Sequence, residues 1–252
     1  MSLSQSGARV IHFPADPQKF VFDREVANCF PDMAQRSIPN FYEAHEMHAR
    51  MLRSWLGARY VPIADFGASR GAFLHALQSY YGSVALDRAY AVDMSEEMCE
   101  MMRADFPQVS IEQVDIASRV FLSDEFNPQF KVVNLNYVLQ FIDPGLQRLV
   151  LRKVMNMVQP GGVFIYGAKE KDVTPIGQLL HEQYIQFRVN HGYTKEEIEA
   201  KTTALKNSMW PTTRKWFMDE AKLMGFSVRE TTRHSVFATY FCIRDGGAHG
   251  AG

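Results

Sequence analysis

Hydrophobic residues along this chain fall into two alternating patterns. Some form short continuous runs, which are typical of strands buried on both faces of a sheet, and others recur every three to four residues, as on one side of an amphipathic helix. Their alternation predicts a parallel sheet joined by right-handed helical crossovers. The predicted strands, of which the last two form a hairpin with an antiparallel member, cover residues 60–66, 89–93, 109–114, 130–135, 163–166, 227–230 and 235–243.

Helix boundaries are predicted from capping residues and helix breakers. Ser95 and the two glutamates that follow it are typical of a helix start, and Gly82 occupies a C-cap position. Pro31 predicts a break in the first helix, and Pro160-Gly161-Gly162 predicts a stop after a later one. The predicted helical ranges are 20–29, 40–56, 72–81, 95–105, 145–158, 173–207 (mostly helical) and 211–224.

These elements together predict an α/β fold, with a mainly parallel, Rossmann-like sheet and helices on both faces. Because 252 residues form one sizeable core more readily than two, we expect a single domain over residues 20–245. Within it, residues 20–56 form a helical cap and residues 172–209 form a helical lid insertion. We expect residues 1–19 and 246–252 to be a flexible lead and tail.

Charge and composition narrow the class of partner. The 27 basic and 28 acidic residues give a formal net charge of −1, without the basic excess that is usual in nucleic-acid binders. We therefore expect a small-molecule substrate. No window approaches the roughly 20 apolar residues of a membrane span, and the first residues contain no continuous apolar signal-peptide core. The sequence thus predicts a cytoplasmic protein with no membrane partner.

The spacing of cysteines and histidines predicts no metal site. Cys29, Cys99 and Cys242 are far apart and odd in number, which argues against a disulfide framework or a zinc site and favours buried thiols in a reducing compartment. His45 and His48 stand three apart on a predicted helix, but the sequence offers no third ligand. We expect a core or surface role for both histidines.

The candidate chemistry begins at the ends of the first two strands, since open α/β sheets bind ligands at the carboxyl ends of their strands. The turn Gly67-Ala68-Ser69-Arg70-Gly71 follows the first strand, and its glycines would let the backbone approach a ligand closely. Asp93 ends the second strand, where a carboxylate can accept hydrogen bonds from both ribose hydroxyls. This pair predicts a nucleoside site.

Two further strand ends extend this predicted site. Asp115 closes the third strand beside the apolar Ile116, a combination that suits the exocyclic amine and ring faces of adenine. Asn136 and Tyr137 follow the fourth strand, near the place expected for a methionine moiety. Any one of these residues also fits a tight turn or a helix cap, but four successive strand ends favour a ligand site.

The same motifs restrict the type of ligand. The glycine turn is not a full G-x-G-x-x-G, and no lysine of a phosphate-binding loop follows it. A nucleoside without phosphates is therefore favoured over a dinucleotide or a nucleoside triphosphate. We predict S-adenosylmethionine as the ligand, with a nicotinamide nucleotide or another adenosyl compound as the alternative.

Several longer segments add a family resemblance. They resemble the carboxy-S-adenosylmethionine synthases of tRNA wobble-uridine modification, and the likeness extends over about residues 20–243. The segments that carry it are Phe22-Asp23-Arg24-Glu25-Val26-Ala27, Phe30-Pro31-Asp32-Met33, Gln35-Arg36-Ser37-Ile38-Pro39, Asn136-Tyr137-Val138-Leu139-Gln140-Phe141, Pro160-Gly161-Gly162 and Asn190-His191-Gly192-Tyr193.

The resemblance implies the fold of class I methyltransferases and a homodimer. It also implies chemistry in which S-adenosylmethionine and prephenate react, so that a carboxylate is transferred onto the activated methyl group through a sulfonium ylide. The family has a tyrosine where this chain has Phe41. The cofactor contacts that the resemblance implies are Phe41, Gly67, Ala68, Ser69, Asp93, Met94, Asp115, Ile116 and Asn136.

Two positions depart from the family pattern. The family's lid arginine, which holds the carboxylate of the product, falls on Thr202 here, and threonine cannot supply a planar, charged fork. The family's glutamate before the residue matching Lys169 is Ala168. Cofactor binding is thus expected to be retained, whereas the carboxylate chemistry would need another cation, with Lys201, Lys206 or Arg36 as candidates.

Three functions follow from these patterns. We place first a methyltransferase acting on a small molecule, in which the enzyme mainly holds the acceptor in line with the methyl group. A carboxy-S-adenosylmethionine synthase that uses another cation is the alternative, and a non-catalytic S-adenosylmethionine-binding protein is the third hypothesis. The residues predicted to contact substrate or act as a base are His191, Tyr193 and Arg36, with Tyr166 and Lys169 as further candidates.

Overall fold

The computed structural model describes residues 22–57 and 60–246, so the predicted lead and nearly all of the predicted tail lie outside the described residues. Seven strands form one sheet. Their bounds are Ile63–Phe66 (β1), Ala89–Asp93 (β2), Ser110–Gln113 (β3), Phe130–Asn136 (β4), Val158–Lys169 (β5), Phe226–His234 (β6) and Phe237–Arg244 (β7).

The strands lie in the order β3-β2-β1-β4-β5-β7-β6, and β7 alone runs antiparallel to its neighbours. Each strand corresponds to a predicted one, and the final antiparallel hairpin is confirmed. β5 begins earlier than expected, because Pro160-Gly161-Gly162 lies inside the strand, where the register between β4 and β5 shifts. The sheet therefore has the predicted mainly parallel, Rossmann-like architecture.

The helices of the described residues cover both faces of this sheet. The shortest α-helix among them is α5, with four residues. The range predicted to be a lid contains α7 and α8. The bounds are Arg24–Ser37 (α1), Phe41–Leu56 (α2), Ala72–Tyr81 (α3), Glu96–Asp105 (α4), Arg119–Leu122 (α5), Pro144–Asn156 (α6), Pro175–Asn190 (α7), Lys195–Leu205 (α8) and Arg214–Leu223 (α9).

Two apolar layers hold the helices to the sheet, because successive strand residues point to opposite faces. Val133 and Phe164 pack with residues of α6 and α9 on one face. Val132 and Ile165 pack with residues of α2, α3 and α4 on the other face. Ser95 caps α4 through a 3.3 Å bond from the Met98 N–H, as its sequence predicts.

The predicted break at Pro31 is wrong. Helix α1 runs without interruption from Arg24 to Ser37 and carries Pro31 inside it. Proline has no N–H, so the carbonyl of Ala27 loses its usual helical donor. The guanidinium of Arg70, which comes from the glycine turn after β1, donates to that carbonyl at 3.3 Å instead. A tertiary contact thus supplies the hydrogen bond that the proline removes.

Other predictions concern single side chains. Cys99 and Cys242 are buried and Cys29 is half-buried, so the burial expected for the three cysteines is confirmed. His45 and His48 both lie in the core, on the inner side of α2. Among residues 22–57 and 60–246, no helix is long and apolar enough to cross a membrane.

Candidate functional site

The glycine turn after β1 lies at the switch in strand order, between β2 and β4. Gly67 has a φ of 71° and donates its N–H to the Val92 carbonyl at 2.8 Å. A Cβ at this position would lie 2.3 Å from a methyl group of Val138, which follows β4. Gly67 is therefore required both by its backbone conformation and by the close approach of the segment after β4.

Substitution of Gly67 by alanine is expected to lower the free energy of unfolding by about 2 to 4 kcal/mol, since strain and steric overlap add. Gly57 is a matched control, because its φ is 66° but nothing lies within 4 Å of the place that a Cβ would take there. Because its ψ of −148° lies in a region that few residues other than glycine adopt, Gly57→Ala should cost about 1 to 3 kcal/mol, from backbone strain alone. Urea unfolding of both variants measures the difference, and equal losses would show that the Val138 contact contributes nothing.

The carboxylate of Asp93 forms hydrogen bonds with the segments that follow β1 and β2. Its Oδ2 accepts from the Ser69 N–H at 2.8 Å, and its Oδ1 accepts from the Ser95 N–H at 3.0 Å. Burial raises the pKa of this carboxyl, while the backbone hydrogen bonds act in the opposite direction. Each carboxylate oxygen has a second lone pair, so both can still accept a hydroxyl of a bound nucleoside.

The other residues predicted to contact a nucleoside follow β2 and β3. Met94 is exposed beside Asp93, and Ile116 is buried against the core. Asp115 is exposed, and its Oδ1 accepts from the Ala117 N–H at 2.8 Å. These three residues occupy the same sheet edge as Asp93, since the Val114 N–H donates to the Asp93 carbonyl at 2.9 Å.

Asn136 supplies the clearest sign of a ligand at this edge. Its side chain is buried at the end of β4, and its Nδ2 lies 3.4 Å from Nδ1 of His45. Its Oδ1 is buried and has no hydrogen-bond partner among the described residues. The rings of Phe41 and Tyr137 pack against the ring of His45, the partner of Nδ2. An orphaned buried acceptor of this kind fits a ligand that carries an N–H donor.

Sequence reasoning missed a buried polar pair beneath this edge. Asp65 in β1 accepts a 2.7 Å hydrogen bond on its Oδ1 from the Nδ2 of Asn134 in β4, and both residues are buried. Burial raises the pKa of Asp65 to about 7. The available signal was a polar residue inside each of two otherwise apolar strand runs.

The raised pKa of Asp65 predicts a pH-dependent stability. Below pH 4 the carboxyl is neutral in both the folded and the unfolded chain. Between pH 4 and 7 the Asp65 carboxyl ionises in the unfolded chain but stays neutral in the folded protein. The free energy of unfolding therefore falls as pH rises through this range. Asp65→Asn keeps an acceptor for Asn134 and should raise the free energy of unfolding by about 2 to 4 kcal/mol at pH 8. Chemical unfolding at pH 5 and pH 8 should show the smaller gain at pH 5.

A second polar group lies beyond the ends of β4 and β5, between α1, α7 and α8. We call it the cation cluster. Four basic side chains surround two tyrosine rings in it, each with its charged group within 6 Å of a ring centroid. The cluster consists of Arg36, Lys169, Arg188, Lys201, Tyr184 and Tyr193.

Arg188 is the centre of the cation cluster. Its guanidinium carbon lies 5.2 Å from the Tyr193 ring centroid and 5.5 Å from that of Tyr184. The residue is only 3% exposed, and its Nε and Nη2 have no hydrogen-bond partner among the described residues. The two tyrosine rings offset only part of the cost of burying this charge, so the two unsatisfied donors fit an anionic ligand better than a purely structural role.

Burial also lowers the pKa values of the two lysines in the cation cluster. Burial, and next the charge of Arg188, lowers the pKa of Lys201 to about 7 and that of Lys169 to about 8. Lys201 Nζ donates to the Ser37 hydroxyl at 2.9 Å. Arg36 is paired with Asp32 at 2.8 Å, which offsets its charge. The cluster thus keeps a positive potential around Arg188.

The cation cluster is continuous with the strand ends. Lys169 ends β5, and its Nζ lies 4.7 Å from the Tyr184 ring centroid. Tyr184 packs edge-on against Phe237 at 5.4 Å, and Phe237 packs against Tyr137 at 6.0 Å. Tyr137 directly follows Asn136. The cation cluster therefore borders the Asn136 end of this edge and is linked to it by a row of aromatic rings.

The three residues predicted to contact substrate are not all brought together. Tyr193 and Arg36 belong to the cation cluster, with the guanidinium of Arg36 4.6 Å from the Tyr193 ring centroid. His191 is exposed at the end of α7, where its Nδ1 lies 2.8 Å from the Phe187 carbonyl. Thr202 is exposed and bonds to the Ile198 carbonyl of its own helix, whereas the adjacent Lys201 points into the cluster.

Comparison with known proteins agrees with this architecture. A methyltransferase domain model matches residues 63–162. The carboxy-S-adenosyl-L-methionine synthase of Aeromonas salmonicida is 31% identical over 195 residues, which cover 75% of this chain and 76% of that protein.

Solved structures show the same fold at low sequence identity. An O-methyltransferase family protein from Burkholderia thailandensis matches with a TM-score of 0.62 at 14% identity, over 93% of this chain and 66% of that one. The magnesium protoporphyrin IX methyltransferase of Synechocystis with bound SAH matches with a TM-score of 0.52 at 14% identity, over 80% and 84%. The strand order, the domain match and the relative at 31% identity place the chain in the carboxy-S-adenosyl-L-methionine synthase family of S-adenosylmethionine-dependent transferases, which has the class I methyltransferase fold.

Proposed function

We propose that this protein is a carboxy-S-adenosylmethionine synthase, whose substrates are S-adenosylmethionine and a small carboxylic acid of the prephenate type. The observation that carries the proposal is the buried guanidinium of Arg188 within the cation cluster, whose Nε and Nη2 have no hydrogen-bond partner among the described residues. Because the Thr202 side chain lies outside that cluster, the absence of an arginine at position 202 removes no cation from it. This consideration favours the synthase over methylation of a neutral small molecule.

The nucleoside part of the proposal rests on the strand ends. The turn at Gly67 and the carboxylate of Asp93 would hold the ribose, Asp115 and Ile116 the adenine, and Asn136 the amino-acid end. When bound, S-adenosylmethionine supplies a sulfonium whose positive charge makes the attached methyl group both electrophilic and acidic. The rings of Phe41 and Tyr137 would keep water away from that methyl group.

The cation cluster would bind and orient the acid. Arg188 offers two donors, and a planar guanidinium can meet a carboxylate through two parallel hydrogen bonds. Lys169, at the end of β5, lies on the side of the cluster towards the strand ends. Fixing the acid at these cations would position its transferable carboxyl group beside the methyl group. The carboxyl group would leave as CO₂ as the ring aromatises and expels its hydroxyl group as hydroxide, the hydroxide would take the methyl proton to form water, and the resulting ylide carbon would bond to the CO₂.

Methyl transfer to a carboxylate-bearing small molecule is the second candidate. The same cluster would anchor such an acceptor, and methyl transfer needs little beyond alignment of the acceptor with the methyl group. The two candidates differ in product. The synthase gives S-adenosylmethionine with an added carboxyl group, whereas the methyltransferase gives S-adenosylhomocysteine and a methylated acid.

The test is product identification by mass spectrometry. The purified protein is incubated with S-adenosylmethionine and with prephenate that is isotope-labelled in its ring carboxyl group. The synthase is expected to release S-adenosylmethionine that carries the labelled carboxyl group. S-adenosylhomocysteine with methylated prephenate would support the second candidate, and recovery of both substrates unchanged from the protein would contradict the proposed reaction.

Assembly and location are proposed on separate grounds. The family resemblance supports a homodimer, for which light scattering of the purified protein should give about twice the chain mass of 28.8 kDa. A monomer mass at micromolar concentration would contradict the dimer.

The free thiols of Cys29, Cys99 and Cys242 support a reducing compartment such as the cytoplasm.

A further inference from the structure

Two buried histidines on α2 have no role assigned to them in the candidate site. His45 and His48 lie three residues apart on the inner side of the helix and are both buried. Burial lowers the pKa of His45 to about 4 and that of His48 to about 3. Each ring is therefore neutral at pH 7, with one nitrogen that donates and one that accepts.

The contacts of His48 explain that residue as structural. Its Nε2 lies 2.9 Å from the Thr231 hydroxyl, and the same hydroxyl donates to the Thr239 carbonyl at 3.1 Å. The proton of His48 then lies on Nε2, where it is donated to Thr231. This bond joins α2 to the β6–β7 hairpin, away from the strand ends.

His45 differs because its partner belongs to the candidate site. Its Nδ1 lies 3.4 Å from Nδ2 of Asn136. An amide N–H₂ can only donate, so the neutral ring accepts on Nδ1 and carries its proton on Nε2. The ring is held edge-on to Phe41 with centroids 5.0 Å apart, and it also packs against Phe73 and Tyr137. Its orientation is therefore fixed by packing as well as by the bond.

The bond to His45 decides which end of the Asn136 amide is left for a ligand. With Nδ2 occupied, Oδ1 is the end that has no partner among the described residues. Gly167, opposite Asn136 in β5, keeps that oxygen uncovered, since a Cβ there would lie 2.6 Å from Oδ1. The site thus presents a buried acceptor in a low-dielectric setting, where a charged N–H donor binds most strongly.

We propose that His45 is a positioning residue, which holds the Asn136 amide so that its Oδ1 receives the α-ammonium group of the S-adenosylmethionine amino-acid end. The inference rests on the proposed function, because it requires S-adenosylmethionine at these strand ends. In a His45→Leu variant the side-chain amide of Asn136 would be free to rotate, so that either its NH₂ group or its Oδ1 could point at the ligand. Binding affinity should therefore fall only for ligands that carry the amino-acid end.

The test compares two ligands on the same variant by isothermal titration calorimetry. S-adenosylhomocysteine carries the ammonium group, and methylthioadenosine has the same nucleoside without it. His45→Leu is expected to weaken S-adenosylhomocysteine about tenfold and methylthioadenosine less than about twofold. His45→Gln, which restores an acceptor, should recover most of the loss. His48→Leu removes a buried imidazole from the same helix and should leave the ratio of the two affinities unchanged.

The outcomes separate this inference from the proposal that it rests on. If the unaltered protein binds neither ligand, the proposed cofactor site is wrong, and the inference is overturned with it. If the unaltered protein binds both, but His45→Leu weakens them equally or not at all, the positioning role alone is overturned. The ratio of affinities is measured on folded protein within one variant, so a lower stability of His45→Leu does not alter the result.

Discussion

Replacement of Arg188 by methionine is expected to abolish use of the carboxylic acid while making the folded protein more stable. The guanidinium is buried with two donors that have no partner among the described residues, and hydrogen bonds to a charged group contribute about 1.5 to 3 kcal/mol each. Loss of both should lower kcat/KM for the acid by about 100-fold or more. Removing an uncompensated buried charge should raise the free energy of unfolding by about 1 to 3 kcal/mol.

The measurements are steady-state kinetics with prephenate, calorimetric binding of S-adenosylmethionine, and urea unfolding. S-adenosylmethionine affinity should change less than about threefold, because the strand-end residues are untouched. Lys195→Met is the matched control, since Lys195 is an exposed cation at the start of α8. If Arg188→Met lowers stability and weakens both ligands alike, the cation cluster is structural and the carboxylate site is wrong.

Replacement of Asp93 is expected to have the second large effect, a loss of S-adenosylmethionine affinity of about 100-fold. The carboxylate accepts from the N–H groups of Ser69 and Ser95 through different oxygens. Asp93→Ala leaves both donors unsatisfied and removes the acceptors for the ribose. Asp93→Asn should be nearly as damaging, because its Nδ2 must face one of two N–H donors.

Calorimetric titration of S-adenosylmethionine into both variants measures this effect. Asp124→Asn removes an exposed carboxylate elsewhere on the surface and serves as the control. Circular dichroism of the free variants shows whether the turn at Gly67 still allows folding. Unchanged affinity in a folded Asp93→Ala protein would mean that the nucleoside lies elsewhere.

The strand-end part of the site could be predicted because its signals are local in sequence. A glycine after a buried strand and an aspartate at the end of the next are each visible within a few residues. The alternation of strands and helices then places them on one edge of the sheet. Gly67 and Asp93 lie there in the structure, joined through Ser69, whose N–H bonds to Asp93.

The cation cluster could not be predicted in the same way. Its members come from α1, β5, α7 and α8, and a basic residue in a helix is normally placed on the solvent side by its pattern. Arg188 and Lys201 point inward instead, against the rings of Tyr184 and Tyr193. Only the long-range packing of α7 and α8 near α1 reveals that these side chains converge.

The same limit explains the error at Pro31. A proline within a short polar stretch normally ends a helix, because one carbonyl loses its donor. Here the donor to Ala27 is Arg70, which is 43 positions away along the chain. The local sequence pattern therefore predicts the helices, the strands and the residues at the strand ends. A hydrogen bond from a distant residue that replaces one lost at a proline is visible only in the structure.

A crystal structure of the protein with S-adenosylhomocysteine and prephenate tests both halves of the proposed site most directly. The ribose hydroxyls are expected to bond to Asp93, and a prephenate carboxylate is expected within hydrogen-bond distance of Nε and Nη2 of Arg188. A prephenate carboxylate bound away from Arg188, with the nucleoside at Asp93, would contradict the proposed role of the cation cluster.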